Sequence, residues 1–127
     1  MQEKHVFEYA VVRVVPIVER EEFINIGVVL FCNKMQYLDV RFHLDEARLQ
    51  AFCCTLDVAE LQGYANSFAR IVQGNKKGTV IESLPQSGRF RWLTAKRSSI
   101  IQTSPVHPGL TDNPSDVLDR LFKQLVL

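Results

Sequence analysis

The chain holds 127 residues, 46% hydrophobic and 23% charged, a balance that suits a globular protein and opposes disorder. A chain of this length buries roughly two-thirds of the surface it exposes when unfolded, so it needs no disulfide or metal staple. The formal net charge is +1, with ten acids and six bases before Leu61 and four acids and nine bases from Leu61 onward. The second half is therefore the better place for an anionic partner, unless both signs mingle on the folded surface.

The N-terminal stretch Met1-Gln2-Glu3-Lys4-His5 carries an acid and has neither an apolar core nor a small-residue cleavage site, so no signal peptide is expected. No apolar run approaches the roughly 20 residues that span a bilayer. Cys32, Cys53 and Cys54 are odd in number and two are adjacent, which is no disulfide framework and fits a reducing compartment. A cytoplasmic protein without a membrane segment is expected. No repeat, low-complexity tract or long linker divides the chain, so one domain over 1–127 is expected.

Val6 to Val15 is apolar and valine-rich, interrupted by Glu8 and Arg13 and stopped by Pro16. Ile24 to Cys32 is apolar as well, with Gly27 inside it. Both read as central strands, and the strand glycine predicts a bulge or a close backbone approach. From Tyr37 to Leu44, Leu38, Val40, Phe42 and Leu44 alternate with Tyr37, Asp39, Arg41 and His43. That period of two predicts a half-buried strand, paired with the second one through a turn at Asn33-Lys34.

Helices follow. Asp45 is an N-cap, with Leu44 and Leu49 at staple positions. Asp57 caps the next helix, with Glu60 at the capping-box position. Val58, Leu61, Ala65, Phe68 and Val72 form its apolar stripe, and Gly74 ends it. Val80 and Ile81 suggest a short extended piece. Arg89 to Leu93 fits either a strand or a short helix. Ser98 to Thr103 reads as a fourth strand and Ser104 to Asp112 as a proline-stiffened loop. Asn113 caps a last helix, with Pro114 at its first position and Val117, Leu118, Leu121, Phe122 and Leu125 on its buried face. The order predicts an α+β fold: a mostly antiparallel sheet of about four strands with helices packed on one face.

The residues point to no metal or cofactor. His5, His43 and His107 lie far apart in the chain, and no Cys or His pair has zinc-ligand spacing. There is neither a P-loop nor a G-x-G-x-x-G. His43 shares a polar strand face with Asp39 and Arg41 and reads as solvated. Cys53-Cys54 reads as small apolar packing.

Two features stand out. Lys76, Lys77, Arg89, Arg91, Lys96 and Arg97 form a basic segment with Phe90 and Trp92 set between arginines. Arginine grips phosphate bidentately and aromatic rings stack on bases. The alternative is that both rings point into the core while the arginines reach water, and an acidic protein surface matches these cations as well as nucleic acid does. The second feature is the loop before the last helix, where Thr111 and free backbone N–H groups favour an anion. There His107 and Asp112 form a possible acid–base pair, or Thr111, Asp112 and Asn113 simply cap the helix.

Four stretches carry a family resemblance: Glu8 to Pro16, Glu21 to Phe31, Arg89 to Leu93 and Ser104 to Asp112. In that order they resemble a bacterial family catalogued as a domain of unknown function, number three thousand and thirty-seven in its series. That family passes no activity to any residue here. Its members are often encoded beside HipA-like serine/threonine kinases, so the resemblance implies a partner or accessory subunit of such a kinase.

Three functions follow as expectations. The first is a non-catalytic binding module for a protein partner such as a HipA-like kinase. The second is an anion or nucleic-acid binder that uses Arg89, Arg91, Lys96 and Arg97. The third is an enzyme in which His107 and Asp112 act while Arg91 or Arg97 holds the substrate. Convergence of His107, Asp112, Arg91 and Arg97 on one cleft favours the second and third together, and their separation leaves only surface binding.

Overall fold

Two strands with few polar side chains organise the molecule. A computed structural model describes residues 3–127, and the counts below refer to these. Strand β1 (His5–Val14) pairs antiparallel with β2 (Ile24–Cys32), and β2 pairs antiparallel with β3 (Tyr37–Phe42). On its other side β1 pairs with β4 (Ile101–Thr103) through Val12 to Val14 and with β5 (His107–Thr111) through His5 to Tyr9. The sheet is thus antiparallel throughout, in the order β3-β2-β1-β4, with β5 sharing β4's side of β1.

Gly27 does both things expected of it. Val12 faces Gly27 but Arg13 faces Asn25, so Ile26 is an extra residue and the strand bulges. A Cβ at Gly27 would lie 2.6 Å from the Phe42 ring and 2.8 Å from the Arg41 carbonyl oxygen. Only glycine lets β3 approach this closely.

The helices follow their caps. Asp45 accepts from the Arg48 N–H to open α1 (Glu46–Phe52), and Asp57 accepts from the Glu60 N–H to open α2 (Val58–Gln73). Leu61, Ala65, Phe68 and Val72 are the buried stripe of α2, which ends at Gly74 with φ at 74°. The ambiguous basic segment is a helix, α3 (Gln86–Leu93), because Phe90 and Leu93 lie three apart and both enter the core. Asn113 accepts from the Asp116 N–H at the start of α4 (Pro114–Leu125), with Pro114 in the first turn.

Four expectations are corrected. The helices occupy both faces of the sheet. Ala10, Val12, Val14, Val29 and Phe31 pack with Leu49, Leu61, Phe68, Phe90 and Leu93 from α1, α2 and α3. Phe7, Val28, Leu30 and Cys32 pack instead with Val117, Leu118 and Leu121 from α4. A strand apolar at successive positions must be covered twice, and each large side chain buried contributes roughly 1.5–3 kcal/mol. Secondly, the stretch read as a loop contains β5, so the sheet has five strands where about four were expected. Pro108 cannot donate to a ladder, yet it is tolerated because β5 lies on an edge. Thirdly, β4 begins only at Ile101. Finally, Val80 and Ile81 lie in turns.

Between β4 and β5 the edge is irregular. Val12 faces Thr103 and Tyr9 faces His107, so the edge holds one residue more than β1 does over this span. Ser104 absorbs the misfit: its N–H donates to the Val11 carbonyl while its hydroxyl accepts from the Val11 N–H at 2.9 Å.

Candidate functional site

The arginines of the basic segment have separate duties. Arg91, on α3, grips the Glu8 carboxylate of β1 through two hydrogen bonds of 2.7 and 2.8 Å. That contact holds the Arg91 guanidinium above its ordinary pKa. Arg89 folds inward, donating to the Leu84 carbonyl at 2.6 Å and reaching the Val72 carbonyl at the end of α2. Arg97 donates to the carbonyls of Trp92 and Leu93 and lies over the Trp92 ring, 4.3 Å from its centroid. Lys96 is exposed and has no salt-bridge partner among the described residues.

Phe90 and Trp92 divide the two readings offered for them. Phe90 is fully buried and stacks on Phe31, with ring centroids 5.3 Å apart. Trp92 is 41% exposed and stays at the surface.

His107 and Asp112 stand at opposite ends of β5. Five residue steps of extended chain separate them, roughly 17 Å. His107 lies against Tyr9, with rings 5.3 Å apart. Its neighbour Pro108 faces Glu8, so Arg91 reaches Glu8 from the other side of the sheet. Thr111 is buried, and its hydroxyl accepts from the Asn113 N–H at 2.9 Å, a local turn that leads into α4. The structure therefore does not gather His107, Asp112, Arg91 and Arg97 into one cleft. Among the described residues, no three His, Cys, Asp or Glu side chains form a metal-sized group.

What the structure does gather lies around β4. A groove of about 200 Å³ runs between α2, α3 and β4, with Tyr64, Phe68, Ile71, Trp92, Leu93 and Ile101 among its walls. Tyr64 and Trp92 form its exposed aromatic rim, and the floor is the main core. On the other side of β4 lies a second pocket of about 470 Å³, which holds Arg13, Lys96 and Arg97 beside Glu21. Arg97 and Gln102 border both hollows. Arg13 rests on the Phe23 ring, 3.8 Å from its centroid, and its Nε is buried without a hydrogen-bond partner. Burial pulls this guanidinium below its ordinary pKa, since an apolar setting disfavours the charged form.

A family model described as Protein of unknown function (DUF3037) matches residues 9–126. The chain belongs to this family. No curated protein and no solved structure matches the chain. The DUF3037 match includes every groove and pocket residue named above. The sequence alone singles out Lys96 and Arg97, but not Arg13 and Tyr64. Each carried a signal. Arg13 is a charge inside an otherwise apolar strand, and Tyr64 is an aromatic next to the α2 stripe rather than in it.

Proposed function

We propose that this chain is a non-catalytic docking module of the cytoplasm, which receives an extended segment of a protein partner along β4 and in the adjoining groove. One observation carries the reading: the aromatic-rimmed groove lies directly beside a strand at the sheet edge. Edge strands accept a further strand through main-chain hydrogen bonds, while neighbouring pockets select its side chains. Exposed tyrosine and tryptophan beside such an edge are the residue types that dominate protein interfaces.

The edge can accept a strand here. Val15 N–H donates to the Ile100 carbonyl and Ser104 N–H to the Val11 carbonyl, so strand alternation turns the main chain of Ile101 and Thr103 outward. The Ile101 carbonyl accepts from the Ser99 hydroxyl at 2.7 Å. By the same alternation the Thr103 N–H and carbonyl point away from β1, and no loop backbone group among the described residues meets them.

The nucleic-acid reading has less support, because Glu8 neutralises Arg91 and Arg89 is turned inward onto the Leu84 and Val72 carbonyls, away from Lys96 and Arg97. A HipA-like kinase, which the resemblance implies, is the first partner to try. Co-expression followed by size-exclusion chromatography is expected to give one complex that the Tyr64→Ala, Trp92→Ala double variant abolishes. A complex that forms equally well with the double variant would place the docking surface elsewhere.

A further inference from the structure

We infer that the docked segment alternates apolar and acidic side chains, with the acids received by Arg13, Lys96 and Arg97. The inference rests on the docking reading and specifies the chemistry of the partner. Successive side chains of a strand point to opposite faces of the sheet. Ile101 and Thr103 pair with Val14 and Val12 on the face that α2 and α3 cover, beside the groove. Gln102 pairs with Arg13 on the opposite face, beside the basic pocket. A strand added along β4 inherits this alternation. Its odd positions enter the apolar groove and its even positions enter the basic pocket.

Charge complementarity fixes the sign. Arg13, Lys96 and Arg97 face a single carboxylate, Glu21, in that pocket. Among the described residues, none of the three cations forms a salt bridge. The half-buried Arg13 guanidinium, held on the Phe23 ring at the pocket wall, gives the strongest support. A carboxylate in the pocket meets that guanidinium with a charge-assisted bond. Trp92 adds selectivity for an extended chain, because Arg97 already covers part of its ring and leaves the remainder as a wall.

Trp92 is the chain's single tryptophan, so its fluorescence reports on this place alone. The test titrates the full chain with three capped seven-residue peptides: alternating valine and glutamate, alternating valine and lysine, and alternating serine and glutamate. The valine–glutamate peptide is expected to shift Trp92 emission most strongly, with binding weakened about tenfold by Lys96→Gln and by Arg13→Gln. Lys96 is exposed, so its variant keeps the fold even where Arg13→Gln disturbs β1.

Equal binding of the valine–lysine peptide would overturn the acidic assignment and leave the groove reading standing. Equal binding of the serine–glutamate peptide, insensitive to Tyr64→Ala, would remove the groove and leave the basic pocket. An oligothymidylate that moves Trp92 at lower concentration than any peptide would overturn the peptide assignment. No response to any peptide at millimolar concentration would overturn both readings.

Discussion

The two edges of the sheet are built differently, and the difference sets the proposed docking edge apart. At the β3 edge, Phe42 meets Phe68 of α2 edge-to-face on one side. On the other, Arg41 pairs with Asp119 of α4 at 3.5 Å and Tyr37 packs on the α4 core. The Val40 N–H is taken by the neighbouring Asp39 carboxylate at 2.8 Å. Helices cover both sides and charges blunt the strand, which is how proteins prevent unwanted pairing. The β4 edge has a groove on one side and an unpaired basic pocket on the other. It is only three residues long, which itself limits non-specific pairing. Farther along the same side, Leu110 of β5 is 64% exposed, but Pro108 lacks the N–H a ladder needs.

Substitutions can break or sharpen this contrast. Phe90→Ala is expected to have the largest effect, a loss of about 3–5 kcal/mol in urea unfolding, because a fully buried ring leaves a cavity. It should also loosen α3, and with it the groove wall at β4, so Trp92 emission shifts toward that of exposed indole. Gly27→Ala acts at the other edge. Its Cβ would meet the Phe42 ring and the Arg41 carbonyl, and overpacking of that kind costs about 1–3 kcal/mol. Trp92 emission should remain unchanged, which separates the two edges in one assay.

Arg41→Ala removes an exposed ion pair with Asp119 and is expected to change stability by no more than about 1 kcal/mol in the same urea assay. The smallest effect belongs to Tyr37→Phe and appears only in alkali. Burial, followed by the Asp39 charge, raises the Tyr37 phenol above its ordinary pKa. The folded state then holds that proton longer than the unfolded state does. The resulting stability is complete below the ordinary value of about 10 and is lost as pH rises through the folded value. Denaturation followed across that range should show a gentler alkaline decline in Tyr37→Phe than in the parent chain.

The sequence disclosed what one-dimensional patterns can carry. The strands at Val6 to Val15 and Ile24 to Cys32, the caps at Asp45, Asp57 and Asn113, and the α2 stripe all depend on neighbours within a few residues. The α4 stripe was equally plain, but which face it covers depends on β2, nearly 90 residues earlier. The same limit hid β5, whose Pro108 and Gly109 imitate a loop until β1 supplies the partner strand. The site was legible only in part. Lys96 and Arg97 stood out as charges in a basic run. Arg13 joins them because β4 pairs with the far end of β1, and Tyr64 joins Trp92 because α2 and α3 share a core; neither relation has a local signature. Arg89 and Arg91 looked equivalent to Arg97 in sequence; the Glu8 carboxylate sets Arg91 apart, whereas Arg89 and Arg97 both bond main-chain carbonyls and differ in which hollow they line.

The central claim is that β4, and not β3, is the receiving edge. Amide hydrogen exchange read residue by residue, with and without the valine–glutamate peptide, tests it most directly. The account predicts that peptide binding slows exchange at the Thr103 amide and leaves the β3 amides at Leu38, Val40 and Phe42 unchanged. Protection that appears along β3, or binding that leaves Thr103 as fast as before, would contradict it.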